Sequence, residues 1–254
     1  MTTRARPRPR VRQPLQGHQG PVNHEAAVVV PEADRTPVIS VAIPVYNAAD
    51  CLERLVERLL VSLRETGLEW EVILVDDASA DRSFAELERL RSCCPGLVVH
   101  RNPENLGQHA TIVRALSLAR GRLSVIMDCD LQDDPELIPT LVRRLETRGA
   151  DAVVVRYSNY ENGPLRYLLS RLHSLSRRFQ GRRNNDPRLA VYRVFCSDLR
   201  THVVQTFTKG RLFRDLFDPH DWRIEYLDAT RSKRFAGQSS YTVSALFKTV
   251  SSRR

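Results

Sequence analysis

Lysine is nearly missing from this chain. Lys209, Lys233 and Lys248 are the only three, although lysine and arginine together number 39 against 30 acidic residues. The formal net charge of +9 is therefore an arginine surplus, which fits either GC-rich coding or a need for planar, bidentate anion contacts. No apolar run approaches the roughly 20 residues that cross a bilayer as a helix, so no transmembrane segment is expected. The N-terminus, "MTTRARPRPRVRQPLQG", has charge but no apolar stretch, which excludes a secretory signal. The five cysteines (Cys51, Cys93, Cys94, Cys129, Cys196) are odd in number and show neither CxxC nor Cys/His spacing. Reduced thiols in a cytoplasmic protein are expected, with no disulfide framework or zinc site. Aromatics make up only 7% of the chain, too few and too scattered for the stacking platforms of single-strand binders. A non-catalytic nucleotide- or nucleic-acid-binding module is thus a remote alternative, and no nucleic-acid partner is expected.

What is present has a clear order. Residues 1–36 are rich in Pro, Arg and Gln without periodicity and read as a disordered basic arm. "RARPRPRVR" could touch phosphates or simply be solvated. From residue 37 onward, buried-type strands alternate with amphipathic helices: "VISVAIPVYN", then Leu52, Leu55, Val56, Leu59, Leu60 and Leu63 at helical spacing, then "WEVILVDD". Asp81 can cap the next helix, "FAELERLRSC". "LVVHR" is a third strand, "HATIVRALSLARG" a helix closed by Gly121, "LSVIMD" a fourth strand, and "ADAVVV" a fifth after a helix opened by Pro135. This alternation predicts an α/β fold with a mostly parallel, Rossmann-like sheet covered by helices on both faces. Beyond Val155 the pattern changes. A helix over 165–179, short strands at "LAVYRVF" and "RIEYLD", and a polar loop "RSKRFAGQSSY" form a C-terminal acceptor-side extension. The expected organisation is one domain over residues 37–241 with a short tail at 242–254.

In such sheets ligands bind beyond the carboxyl ends of the strands. The polar segments "PVYN", "DDAS" and "DCDLQDD" all fall there. The last is the most telling. Asp128, Asp130, Asp133, Asp134 and Glu136 crowd the end of a buried strand in a basic protein, against repulsion and desolvation. Asp128 and Asp130 with the carboxamide of Gln132 supply hard oxygen ligands in a compact turn, which suits Mg²⁺ or Mn²⁺ shared with substrate phosphates. Asp133 and Asp134 precede Pro135, where a helix start favours negative charge. Asp76 reads as a turn cap, and Tyr46 as a binding ring or as plain packing beside a strand end.

"VAIPVYN", "VILVDDASAD", "NPENLGQHATIVRALSLARG", "VIMDCDLQDDPELIPTLV" and "AVVVRY" follow one another in a way that resembles family 2 glycosyltransferases of the GT-A fold. The branch most similar is that of dolichol-phosphate mannose synthases and bacterial undecaprenyl-phosphate glycosyltransferases, over roughly Val38 to Tyr241. The resemblance implies transfer of a sugar, with inversion, from a nucleotide-sugar donor held on a divalent cation, Mg²⁺ or Mn²⁺. Pro44, Tyr46 and Asp77 would then contact base and ribose, while Asp128, Asp130 and Gln132 would hold the metal and diphosphate. Arg156 would face the phosphates, Arg166 and Ser170 the acceptor phosphate, and Arg234 with Gly237 would belong to a loop closing over the site. Asp130, Arg156, Arg166, Ser170 and Arg234 are the candidates for catalysis.

Some positions depart from that pattern. Ala48 stands where a glutamate is usual, Ser240 where the closing loop usually has lysine, and "NNDPRLAVYR" lacks the usual Gly-Phe, although Asp186 and Arg193 fit. Polyprenyl phosphate is the leading acceptor, reached by peripheral docking on the inner face of a membrane. A soluble acceptor such as a natural-product intermediate is the alternative. A lipid phosphate is already anionic and needs no general base; an alcohol would need one, with Asp186, Asp215 and Glu225 as candidates.

Overall fold

The computed structural model describes residues 37–158, 189–208, 216–217 and 221–232. Its elements in chain order are β1 (Ile39–Val45), α1 (Ala49–Glu65), β2 (Trp70–Asp76), α2 (Ser83–Cys93), β3 (Leu97–Arg101), α3 (Gln108–Leu118), β4 (Leu123–Ile126), a 3₁₀ turn (Pro135–Leu137) leading into α4 (Ile138–Arg148), β5 (Ala152–Tyr157), β6 (Leu189–Cys196), α5 (Ser197–Thr206) and β7 (Ile224–Ala229). The basic arm at 1–36, the helix expected over 165–179, the polar loop from Lys233 and the tail at 242–254 lie outside the described residues.

The seven strands form one sheet in the order β3-β2-β1-β4-β6-β5-β7. β1 pairs in parallel with β2 and β4, β2 with β3, and β5 with β7. Strand alternation sends successive side chains to opposite faces, and both faces are covered. Ile39, Val41, Ile43 and Val45 of β1 join α1 (Leu52, Leu55, Leu59, Leu63), α2 (Leu87, Leu90) and α4 (Ile138, Leu141, Leu145) in one core. Ala42, Ile73, Val75 and Ile126 join α3 (Ile112, Ala115, Leu116) and α5 (Leu199, Val203) in the other. Each fully buried leucine or isoleucine contributes about 1.5–3 kcal/mol.

One feature departs from a simple run of parallel strands. β6 enters the sheet between β4 and β5 and pairs antiparallel with both. A strand buried on both faces reads as the same apolar run in either direction, so "LAVYRVF" announces a strand without its orientation. No helix among the described residues is long and apolar enough to cross a membrane.

Helix boundaries follow local chemistry. Asp81 accepts the Ser83 N–H at 2.9 Å, as expected of a cap, although the assigned cap position is Arg82. The same carboxylate accepts the Ala49 N–H of α1 at 3.2 Å, and Ser83 Oγ accepts the Ala48 N–H at 2.8 Å. The first turns of α1 and α2 are thus stitched to each other. α4 ends at Gly149, left-handed at φ 58, with Ala150 N–H returning to Leu145 O at 3.0 Å, the usual glycine stop.

Gly121 does not close α3, which ends at Leu118 with Ala119 already extended. Its role is close approach. A Cβ there would lie 2.7 Å from Ser40 Oγ, 2.8 Å from Ser40 N and 2.9 Å from Ile39 C. Its N–H donates to Ser40 Oγ at 2.7 Å, and Ser40 donates to buried Glu71 at 2.6 Å. Arg120 seals this network, its backbone N–H and its Nε reaching the two Glu71 oxygens at 2.7 and 2.9 Å. Two of the three close atoms are backbone and cannot swing aside, so Gly121→Ala should destabilise the fold by about 1–3 kcal/mol. The check is a lowered urea midpoint at unchanged m-value.

Candidate active site at the carboxyl edge of the sheet

β1 and β2 end in register, Val45 opposite Asp76. The chain beyond continues the ladder by single bonds: Asp77 N–H to Val45 O at 2.8 Å, Asn102 N–H to Asp76 O at 2.8 Å and Met127 N–H to Ala42 O at 3.4 Å. The turns after β1 to β4 therefore open on one edge. β4 follows β1 only to the pair Ala42–Ile126. Two residues on stands Pro44, which has no N–H to offer a neighbour, and here β4 peels away into the acidic turn. The strand order changes direction at this point, since β2 and β3 run to one side of β1 and β4 to the other. α1 and α2 pack on one face and α3 on the other. Crevices at such reversals are where α/β sheets bind ligands.

Among the described residues, three non-glycine residues have positive φ: Asn47 (49°), Ala78 (56°) and Leu131 (61°). They sit one each in the turns after β1, β2 and β4. A left-handed residue costs roughly 1–2 kcal/mol, and strain of this kind gathers at functional edges when neighbours hold it in place. Asn47 is held by Ser79 Oγ, which accepts its N–H at 2.9 Å, and its Oδ1 accepts the Ala80 N–H at 2.9 Å. The first two turns thus clasp each other.

Asp76 behaves as the turn cap read from the sequence, accepting the Ser79 N–H at 3.2 Å, and it also meets Arg101 Nε at 3.1 Å. Asp77 is buried and accepts three donors: Asn102 Nδ2 at 2.7 Å, Leu106 N at 2.8 Å and Gly107 N at 2.9 Å. In this structure it shapes the loop before α3, whose Gly107 has φ 86. Pro44 is buried in the strand. Tyr46 projects with 41% of its surface exposed.

The turn itself is tightly organised. Gln108, at the start of α3, donates to Asp128 Oδ1 at 2.6 Å. Asp130 Oδ1 accepts the Gln132 N–H at 3.1 Å. Asp133 does not cap the following helix, as the sequence led one to expect; it is turned inward, where Oδ2 accepts the Asp128 N–H at 3.0 Å and Oδ1 accepts the Tyr157 hydroxyl at 2.6 Å. Asp134 does not cap either. Its carboxylate takes Arg58 at 3.1 Å and Ser232 Oγ at 2.8 and 3.0 Å, while its carbonyl receives the Leu137 N–H at 3.1 Å. Glu136 is held by Arg58 through two bonds of 2.8 and 2.6 Å. Both departures have one cause. Tyr157 and Arg58 offer side-chain donors that outcompete the few N–H groups of a three-residue 3₁₀ turn.

Burial raises the Asp128 carboxyl well above the ordinary carboxylate range, and the Asp133 and Asp130 charges push the same way; Gln108 and Arg231 oppose them. Asp133 is raised as well, again chiefly by burial. Among the described residues no three His, Cys, Asp or Glu side chains converge into a ready-made metal cage. The adjacent carboxylates of Asp128 and Asp130 nonetheless fit a hard cation that keeps further places for water and phosphate. Burial and the adjacent Asp133 carboxylate keep Tyr157 protonated as a donor, burial raises the Cys51 thiol to about 11, and burial pushes that of Cys129 well above its ordinary value. Neither thiol is a nucleophile.

Arg156, expected to face phosphates, is paired two-pronged with Asp228, Nε at 2.5 Å and Nη2 at 2.7 Å, and lies over the Tyr226 ring at 5.6 Å. Glu225 faces Arg144 at 3.8 Å. Arg166, Ser170, Asp186, Asp215, Arg234 and Gly237 lie outside the described residues. Sequence reasoning missed Gln108, Arg58, Tyr157 and Arg231. Of these only Gln108 left a signal, its position directly after Gly107 at the start of a helix that opens on the same edge.

The fold is that of the GT-A type. The family model for glycosyl transferase family 2 matches residues 40–206, well over half of the 254-residue chain, and the chain belongs to that family. An undecaprenyl-phosphate 4-deoxy-4-formamido-L-arabinose transferase of Pectobacterium atrosepticum is 37% identical over 211 residues, covering 80% of this chain and 62% of that protein. Its namesake in Pectobacterium carotovorum is 36% identical over 168 residues, covering 65% of this chain and 50% of that protein. The chain thus spans only part of the length of these relatives. Among solved structures, glucosyl-3-phosphoglycerate synthase from Mycobacterium tuberculosis, in complex with Mn²⁺, uridine diphosphate and phosphoglyceric acid, shares the fold. Its TM-score is 0.59 at 21% identity, covering 84% of this chain and 74% of that one.

Two measurements probe the turn. Tyr157→Phe leaves buried Asp133 Oδ1 without its donor and should cost about 1–3 kcal/mol in urea unfolding. Glu136 is held below its ordinary value of 4.5, first by the Arg58 hydrogen bond. A depressed carboxyl contributes stability above the unfolded pKa and loses it as pH falls through the folded one. Arg58→Ala should therefore flatten the fall in stability below about pH 4.5, measured as Tm against pH.

Proposed function

We propose that this protein transfers a sugar, with inversion, from a nucleotide-sugar donor to a polyprenyl phosphate at the crevice where β4 parts from β1. The observation that carries the reading is the acidic turn, strained and braced at the sheet's reversal point, with an Asp128 carboxyl that burial and neighbouring carboxylates leave in need of positive charge. The names of the relatives support the acceptor, since both act on undecaprenyl phosphate.

In this reading Asp128, Asp130 and Gln132 hold Mg²⁺ or Mn²⁺ and the donor diphosphate, and the cation supplies charge neutralisation for the departing nucleoside diphosphate. Tyr46, exposed on the rim, offers its ring to the base, with Pro44 beneath and Asp77 shaping the adjoining loop. Gln108 orients Asp128. Arg156 turns from Asp228 toward phosphate, exchanging one two-pronged anion contact for another. Arg166 and Ser170, with the "RFAGQSSY" segment that contains Arg234, are assigned to the acceptor phosphate. The acceptor oxygen is already anionic, so the protein's task is alignment, worth up to ~7–11 kcal/mol, and Glu225 need not serve as a base. Such an acceptor places the protein at a membrane surface, peripherally and on its cytoplasmic face.

The test is thermal denaturation of the full chain with a panel of nucleotide sugars plus Mg²⁺ or Mn²⁺. The matching donor should stabilise by about 2.7 kcal/mol at a hundredfold excess over Kd, and Asp130→Ala should lose the metal-dependent part. Equal stabilisation of that variant would overturn the metal assignment. Release of nucleoside diphosphate that is indifferent to added polyprenyl phosphate would overturn the acceptor.

A further inference from the structure

Each donor assigned above to the cation has an identifiable outer partner. Gln108 holds the Asp128 carboxylate, and Asp130 accepts the Gln132 N–H. Gln132 is also held from farther along the chain. Its carbonyl accepts the Ser232 N–H at 3.2 Å, and Ser232 Oγ donates to the Asp134 carboxylate at 2.8 and 3.0 Å. One serine beyond β7 thus grips the acidic turn at two points, two residues apart. The anchor of that grip is fixed. The Asp134 carbonyl takes the Tyr192 hydroxyl at 2.9 Å and the Leu137 N–H at 3.1 Å, and its carboxylate takes Arg58 at 3.1 Å. β7 itself does not need the clip. Its last residue, Ala229, pairs with Tyr157 and accepts the Ser158 N–H at 2.9 Å, which closes the ladder three residues earlier.

We propose that Ser232 is a positioning residue for the donor's metal: it fixes Gln132 so that the carboxamide meets the cation. The inference rests on the reading of Asp128, Asp130 and Gln132 as the cation's donors. Two observations support it. The Gln132 backbone is held on both sides, yet its carboxamide makes no hydrogen bond among the described residues. The side chain therefore starts from a fixed point and is available to a ligand. Leu131, just before it, is left-handed at φ 61, a strained conformation that persists only where its neighbours hold it. Chemistry adds a third reason. A carboxamide brings no charge, so Coulomb attraction does not draw it to a cation as it draws Asp128 and Asp130. Its coordination depends on placement, which an outer partner supplies.

The test reads metal binding rather than turnover. Mn²⁺ affinity is measured by electron paramagnetic resonance titration of the full chain, with uridine or guanosine diphosphate present. The variants are Ser232→Ala, Ser232→Thr, Gln132→Ala and the pair Ser232→Ala with Gln132→Ala. Ser232→Ala should weaken Mn²⁺ binding on the order of tenfold, and Ser232→Thr, which keeps the hydroxyl, should restore most of it. In the Gln132→Ala background the serine change should add little, because both act through one contact. Unchanged Mn²⁺ affinity with a lowered Tm would show a merely structural clip and overturn the proposal, as would losses that add in the pair. If Ser232→Ala does not fold, Asp134→Ala decides, since it removes the anchor but leaves the Arg58–Glu136 pair: undiminished affinity there overturns the proposal. If the natural chain binds no Mn²⁺, or Gln132→Ala binds it as tightly, the metal assignment itself fails and the inference with it.

Discussion

The proposed catalytic edge depends on one buried carboxylate. Asp133 ties the peptide of Asp128 to the hydroxyl of Tyr157 and thereby fixes an acidic loop to strand β5. Burying a charge without partners is prohibitive, so this group is tolerable only because both its oxygens are engaged and Arg231 acts on it. The residues on either side of the brace are freed from holding the backbone together. Asp128 and Asp130 can then be arranged for a ligand, while Asp134 and Glu136 bind Arg58 of α1. Adjacent acids thus have separate tasks: Asp133 braces the turn from within, and Asp134 and Glu136 tie it to α1.

The same division explains how a basic protein keeps an acidic pole. Arg58 and Arg156 are paired with carboxylates on its periphery, and Arg231 offsets only part of the charge on Asp128 and Asp133. The polar network at the opposite end of the sheet, Ser40, Glu71, Arg120 and Gly121, is closed and internally satisfied. The sheet is therefore pinned tightly at that end and carries its strained residues at the carboxyl edge.

Most of the element order was legible in the chain, because buried strands and amphipathic helices leave periodicities that survive without tertiary information. The acidic turn was legible because a cluster of carboxylates after an apolar run is hard to explain otherwise. Three things were not. The direction of β6 is invisible in a strand apolar on both faces. The inward turn of Asp133 depends on Tyr157, twenty-four residues away, and proximity in sequence to Pro135 pointed instead to a cap. Gly121 stands where a helix would end by pattern, but the space it leaves belongs to Ser40, eighty-one residues earlier. Each miss is a long-range contact overriding a local signal.

Cys129 sits between Asp128 and Asp130, and its environment bears on which cation the proposed site would admit. Soft ions such as zinc or cuprous copper are captured by thiolates, so the sulfur would have to surrender its proton first. Burial and the flanking negative charges oppose that surrender strongly. The Cys129 sulfur is thus held as a thiol between two carboxylates.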